Sequence, residues 1–64
     1  MDQVKTGALI RALRAQKGLT QKALAEAIGV GDKAVSKWER GLGCPDVSLL
    51  PELSRVLGVG LEAL

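Results

Sequence analysis

Apolar residues recur at helical spacing in successive segments of the chain, and a glycine follows each of the first four segments. In the first segment Leu9, Ile10 and Leu13 fall on one face of a helix, while basic residues follow another face. Gly18 comes next, and glycine readily adopts the left-handed conformation that ends a helix. The pattern predicts a first helix over residues 4–17.

A second, shorter helix is predicted directly after this stop. Thr20 supplies a side-chain oxygen that can cap the start of a helix, and Gly29 ends the segment. The spacing of its apolar residues predicts a buried face formed by Leu24, Ala25 and Ile28.

The third segment follows after Val30 and Gly31 alone, so the turn before it must be tight. It covers residues 32–40 and stops at Gly41. Its predicted buried side chains are Ala34, Val35 and Trp38, and we expect Trp38 to pack in the core rather than to stack on a ligand.

The last third of the chain predicts a fourth helix, with apolar positions at Leu49, Leu50, Leu53, Val56 and Leu57. Pro51 lies among them, and a proline beyond the first turn of a helix costs about 3 kcal/mol. The helix is therefore expected to start late with Ser48 as its cap, the alternative being that Asp46 caps an earlier, looser turn. Gly58 ends this helix, and residues 61–64 are expected to begin a fifth.

The composition agrees with one small all-α domain over residues 1–64, which could be the N-terminal part of a longer protein. Apolar residues make up 47% of the chain, with one Trp and no Phe or Tyr. The chain has a single cysteine, Cys44, and no histidine, so Cys44 has no partner in the chain for a disulfide or a Cys/His metal site. No segment resembles a secretion signal or a membrane span, so the expected location is the cytoplasm.

Charge is distributed unevenly along the chain. Residues 1–40 contain eight Lys or Arg and four acidic residues, whereas residues 41–64 contain one basic residue, Arg55, and three acidic ones. The first two-thirds of the chain is therefore positive and the last third negative. This division indicates an anionic partner for one side of the molecule.

The third segment carries the most informative polar pattern. Lys33, Lys37 and Arg40 stand at i, i+4 and i+7, so they form one positive stripe on its outer face. Like charges at this spacing cost an isolated helix about 0.2 to 0.5 kcal/mol per pair, which an anion alongside would offset. A solvated surface face is the alternative interpretation. The tight, glycine-containing turn before the segment favours DNA, because this geometry places a second helix in the major groove.

Gln21 stands at the start of the second predicted helix. There a side-chain amide and the free N–H groups of the helix end can meet a phosphate together. The alternative is an ordinary surface glutamine in a first turn.

Together these residues resemble the helix-turn-helix domain of the Cro and phage-repressor type. The resemblance covers residues 7–64 and is carried by Gly18-Leu19-Thr20-Gln21, Leu24-Ala25, Gly29-Val30, Val35-Ser36-Lys37-Trp38-Glu39-Arg40-Gly41, Pro45 and Leu57-Gly58-Val59. It implies a compact five-helix bundle of the lambda-repressor-like type, in which helices two and three form the DNA-reading unit.

The resemblance also implies roles for individual positions. Those matched to base contacts are Asp32, Lys33, Ala34 and Lys37. Those matched to phosphate contacts are Gln21, Lys22, Ser36, Arg40, Gly41 and Gly43. Arg14 and Glu39 match an ion pair that joins helix one to helix three.

The chain departs from its relatives in two places. Many of them have Ser or Thr at the cap of the recognition helix, where this chain has Gly31 followed by Asp32. Asp32 either caps the helix, the interpretation we favour, or faces the groove, where its carboxylate could accept a hydrogen bond from cytosine N4. Lys33 and Lys37 replace the amide side chains common in relatives, and this leaves the preferred DNA sequence open.

The expected function is sequence-specific binding of double-stranded DNA by a bacterial or phage transcriptional regulator, with repression favoured over activation. A homodimer is expected on DNA, joined through the last helix or a region beyond Leu64. The chain has no histidine and one cysteine without a partner, so we expect no catalysis, no metal and no cofactor or small-molecule ligand. The rival interpretation is a protein-interaction module on the same helical scaffold.

Overall fold

Four α-helices follow one another in the computed structural model, which describes residues 2–64, and Leu61 by its backbone alone. They are α1 (Gln3–Gln16), α2 (Gln21–Ile28), α3 (Asp32–Glu39) and α4 (Leu50–Leu57), with single 3₁₀ turns at Val47–Leu49 and Leu61–Ala63. The longest, α1, has 14 residues. Among the residues described, no helix combines the length and the apolar character needed to cross a bilayer.

The first three helices lie close to their predicted positions. Thr20 caps α2 as expected, because its Oγ1 accepts the Ala23 N–H at 2.9 Å. Gly18 and Gly29 adopt the predicted left-handed conformation after α1 and α2, with φ of 69° and 76°. The start of α1 was missed by one residue, since Asp2 caps it by accepting the N–H groups of Val4 and Lys5.

The start of α4 follows the alternative rather than the favoured prediction. Asp46, not Ser48, is the capping residue, because its Oδ1 accepts the Ser48 N–H at 2.9 Å and opens the 3₁₀ turn. This turn leads directly into α4 at Leu50, so Pro51 falls within the first helical turn. A proline is tolerated there because its missing N–H would have had no partner inside the helix.

The prediction of a five-helix bundle was wrong, because residues 2–64 form four α-helices. The segment after Gly60 forms one 3₁₀ turn, in which the Ala63 N–H donates to the Gly60 carbonyl at 3.1 Å. An α-helix is sustained by repeated i→i−4 hydrogen bonds, and this single turn has none. Forming a first turn is costly, because several backbone dihedrals are fixed for one hydrogen bond. The all-α class itself is correct.

The core is formed by side chains from all four helices, and α3 packs against both α1 and α2. Its buried members are Ile10, Leu24, Ala25, Ile28, Val35, Trp38, Leu53 and Leu57. Trp38 is only 7% exposed, which confirms that it is a core residue. The predicted core positions Leu13 and Ala34 are half-buried and lie against the edge of this cluster.

Helices α1 and α3 approach each other closely at Gly7. A Cβ atom placed on this glycine would lie 1.8 Å from the Trp38 carbonyl oxygen and 2.9 Å from the Trp38 carbonyl carbon. Both are backbone atoms and cannot rotate away. Gly7 therefore sets the distance at which α1 lies across α3.

We expect Gly7→Ala to destabilise the domain by about 2 kcal/mol or more through this clash. Helix propensity acts the other way, since alanine within a helix is better than glycine by about 1 kcal/mol. A loss of stability in the variant would therefore indicate the close approach, and a gain in stability would indicate its absence. Urea unfolding measures it, and Gly43→Ala is the control because a Cβ there meets nothing within 4 Å. A Gly7→Ala domain as stable as the parent would contradict the packing described.

Candidate nucleic-acid interface

The turn between α2 and α3 fixes how α3 is presented. Gly29 takes the left-handed conformation, and the Val30 N–H then donates to the Ala25 carbonyl at 2.9 Å, which ends α2. Val30 is half-buried against the core, and Gly31 is extended with φ of −77°. Only three residues thus separate α2 from α3, so the change in helix direction takes place within a tight turn.

Helix α3 has a buried side and a cationic side. Val35 and Trp38 are buried, whereas Lys33, Lys37 and Arg40 are all exposed. Helical geometry places these three cations on one face, opposite the buried residues. The structure therefore presents the predicted stripe to solvent.

Ser36 and Ala34 lie at the two edges of this cationic face and are half-buried. The Arg40 Nε donates to the Ser36 carbonyl at 3.3 Å, so the guanidinium is folded back along α3. Lys22, on α2, is exposed. These residues border the stripe without adding a negative charge to it.

Asp32 does not cap α3, so the favoured interpretation of this residue was wrong. Gly31 occupies the N-cap position and no side chain makes a capping hydrogen bond there. Asp32 is instead the first helical residue and is exposed. Glycine lies close to threonine in N-cap preference, so the helix can start at Gly31 without a side-chain oxygen.

A buried ion pair joins α3 to α1. Arg14 Nε lies 2.7 Å from Glu39 Oε2 and Arg14 Nη2 lies 3.0 Å from Glu39 Oε1, so the contact is bidentate. The third guanidinium nitrogen, Nη1, donates to the Leu19 carbonyl at 2.7 Å. The two side chains are 16% and 3% exposed, so Arg14 and Glu39 meet largely out of water.

Gln21 also contacts this ion pair, a contact that was not predicted from the sequence. Its Nε2 donates to Glu39 Oε1 at 3.1 Å, tying the first residue of α2 to the last residue of α3. The bond joins residues 18 positions apart. No local pattern in the sequence indicates such a contact.

These contacts set the charge state of the pair. Burial acts to raise the pKa of the Glu39 carboxyl, but hydrogen bonds from Arg14 and Gln21 outweigh burial and hold it below its ordinary value. The hydrogen bond to Glu39 raises the pKa of Arg14. Glu39 is therefore a carboxylate at neutral pH.

The loop after α3 begins with Gly41, which adopts a left-handed conformation with φ of 74°. The N–H groups of Gly41 and Leu42 donate to the Trp38 and Lys37 carbonyls, both at 3.0 Å. Both amides are thus engaged at the end of α3. Gly43, the other loop glycine matched to a phosphate contact, is half-buried, and a Cβ there would meet nothing within 4 Å.

Within residues 2–64, no group of three His, Cys, Asp or Glu side chains is placed to hold a metal ion. Cys44 is half-buried with a free thiol.

Comparison with known proteins adds independent information. A model of the helix-turn-helix family matches residues 10–64. The HTH-type transcriptional activator BcrR of Enterococcus faecalis is 40% identical over 55 residues, covering 86% of this chain and 27% of BcrR. Multiprotein-bridging factor 1 of Candida albicans is 38% identical over 59 residues, covering 92% of this chain and 39% of that protein. The chain thus spans well under half the length of either curated relative.

A solved structure of a repressor bound to DNA has the same fold. The P22 c2 repressor protein, crystallised in complex with a synthetic operator, is 35% identical and superposes with a TM-score of 0.84. The match covers 89% of this chain and 86% of the repressor chain. The helix-turn-helix fold therefore extends over nearly the whole chain.

We expect Glu39→Gln to destabilise the domain by about 3 kcal/mol at neutral pH, because it leaves a largely buried guanidinium without its counter-charge. Since the Glu39 pKa is lower folded than unfolded, its contribution is full above the unfolded value of about 4.3 and is lost as pH falls through the folded value. Urea unfolding from neutral to acidic pH should therefore show a shallower acid-induced loss in this variant than in the parent.

Glu52→Gln is the matched control, because the Glu52–Arg55 pair is exposed on both sides and its loss should matter little. Equal destabilisation by the two substitutions would contradict the role assigned to burial of the Arg14–Glu39 pair.

Proposed function

Because the chain belongs to the helix-turn-helix family of the Cro and phage-repressor type, we propose that it binds double-stranded DNA sequence-specifically and regulates transcription. The observation that carries the proposal is the exposed stripe of Lys33, Lys37 and Arg40 on α3, presented by the tight turn after α2. In this arrangement α3 lies in the major groove and α2 crosses the DNA backbone.

The stripe and its borders divide by chemistry into two groups. Lysine can donate to guanine O6 and N7, a carboxylate can accept from a base amino group, and a methyl group can contact the thymine methyl. The proposed base-reading residues are Asp32, Lys33, Ala34 and Lys37. The proposed phosphate-contacting residues are Gln21, Lys22, Ser36, Arg40, Gly41 and Gly43.

Gln21 suits a phosphate contact because of its bond to Glu39. A side-chain amide has two N–H donors, and Glu39 accepts one of them, which leaves the second for a phosphate oxygen. Glu39 thereby limits the rotation of the amide before DNA arrives. At the loop, the Gly41 amide is engaged with Trp38, so the main-chain contact falls mainly to Gly43.

A domain of this size buries about 600 to 1,000 Å² against DNA, so useful specificity favours two copies on half-sites about 34 Å apart. We propose a homodimer on DNA, joined through the region after α4. Repression is the favoured outcome because occupying a promoter requires only DNA binding, whereas activation requires a further contact. BcrR, a transcriptional activator by name, shows that relatives include the other outcome.

A protein-interaction module is the second candidate, favoured by the likeness to a multiprotein-bridging factor. In this case the cations of α3 would meet an acidic protein or solvent. The two candidates differ in a direct measurement: a DNA-binding domain associates with duplex DNA at low salt, and an interaction module does not.

We expect the double variant Lys33→Glu, Lys37→Glu to lose on the order of 100-fold or more in affinity for its selected duplex, because two donors at base edges become repelled acceptors. Fluorescence anisotropy with labelled DNA measures the loss. The control is the double variant Lys17→Glu, Arg55→Glu, which makes the same change in net charge away from α3. Both positions are exposed: Arg55 is on α4, and Lys17 lies beside Gly58 at the end of α4. Affinity that survived reversal at α3 would remove the stripe from the proposed interface.

We expect Arg40→Ala to weaken binding about equally for specific and unrelated duplexes, since a phosphate contact carries no sequence information. Loss of one such contact should reduce the slope of log affinity against log salt concentration by about 0.9. Arg55→Ala, which removes an arginine paired with Glu52 on α4, should leave the slope unchanged. A selective loss for the specific duplex would instead assign Arg40 to base reading.

A further inference from the structure

Asp32 is an exposed carboxylate that no other part of the described chain engages. Helix α3 has two acidic residues, and the other, Glu39, is 3% exposed and hydrogen-bonded to Arg14 and Gln21. Asp32 is exposed at the first position of the helix and makes no capping bond. Helices α1 and α2 differ from α3 here, because the side chains of Asp2 and Thr20 accept N–H groups of the helices they cap.

The position of Asp32 limits what its carboxylate can meet on DNA. The N-terminal residues of a recognition helix are those that contact base edges. An ionised carboxylate is acceptor-only and is repelled by phosphates, so among the groups of the major groove it requires a base amino group. Cytosine N4 and adenine N6 are the two available amino groups.

The surroundings of the two amino groups favour cytosine. Adenine N6 lies between two acceptors, N7 of adenine and O4 of the paired thymine, and both repel a carboxylate. Cytosine N4 has an acceptor on one side only, O6 of the paired guanine. The next residue, Lys33, is exposed and donor-only, so it can bind the guanine O6 and N7 that would otherwise repel Asp32.

We propose that Asp32 and Lys33 together recognise a C·G base pair in each half-site, with Asp32 accepting a hydrogen bond from cytosine N4 and Lys33 donating to the guanine of the same pair. The inference rests on the proposed DNA-binding function and specifies the class of DNA sequence that α3 selects. Within the described residues neither side chain makes a hydrogen bond or an ion pair, so both are available to contact DNA.

Selection of binding sites from a randomised duplex pool tests the proposal. The parent chain should enrich a C·G pair at one position of each half-site. Asp32→Asn should shift that position toward adenine, whose N6 and N7 match an amide, and leave the other positions unchanged. Glu26→Gln makes the same change in net charge at an exposed position of α2 and should leave the whole preference unchanged.

A chemical probe then tests the contact itself. Paired cytosine methylated at N4 holds the methyl group in the major groove, where it replaces the hydrogen that Asp32 would accept. The selected duplex carrying N4-methylcytosine should bind the parent about tenfold more weakly, and Asp32→Ala should not distinguish the two duplexes.

The possible outcomes distinguish a failure of this inference from a failure of the proposed function on which it rests. Binding to DNA with no cytosine preference that depends on Asp32 would overturn the inference and leave the proposed function standing. Absence of binding to every duplex at low salt would overturn the proposed function, and the inference with it.

Discussion

The carboxylate of Glu39 is the group on which the arrangement of the first three helices depends. It accepts two hydrogen bonds from Arg14 on α1 and one from Gln21 at the start of α2. A bidentate arginine–carboxylate pair is directional, whereas apolar packing tolerates small shifts between helices. A buried pair of this kind is weak grounds for added stability, because desolvation offsets its attraction. Its effect here is geometric: the three hydrogen bonds define where the end of α3 lies relative to α1 and α2.

Close backbone approach at Gly7 supplies the second constraint on that geometry. Gly7 and Arg14 are seven residues apart on α1, which places them on the same face two turns from each other. They meet Trp38 and Glu39, consecutive residues at the end of α3. One contact limits the distance between the helices and the other limits their sliding. The outer face of α3 therefore has a defined position relative to α1, although the domain has a small core.

Most helix boundaries could be read from the sequence because they are local. A capping side chain such as Thr20, or a left-handed glycine after a helix, acts within a few residues of its position. The α4 start was harder, because Asp46 and Ser48 both precede a proline and only the folded loop decides between them. The predicted fifth helix was wrong because apolar spacing alone does not supply enough backbone hydrogen bonds. Contacts such as that of Gln21 with Glu39 join distant residues and leave no periodic signal.

The exposure of the α3 lysines was predictable for a related reason: these side chains take no part in the packing of the domain. Val35, Trp38 and Glu39 are engaged inside the domain, whereas Lys33 and Lys37 are exposed and repel each other. A like-charged pair that gives nothing to the fold indicates a role outside it. Because the two sets occupy different faces of one short helix, substitutions on the outer face can change what is bound while the buried face keeps the helix in place. A substitution on the outer face therefore need not carry a matching loss of stability.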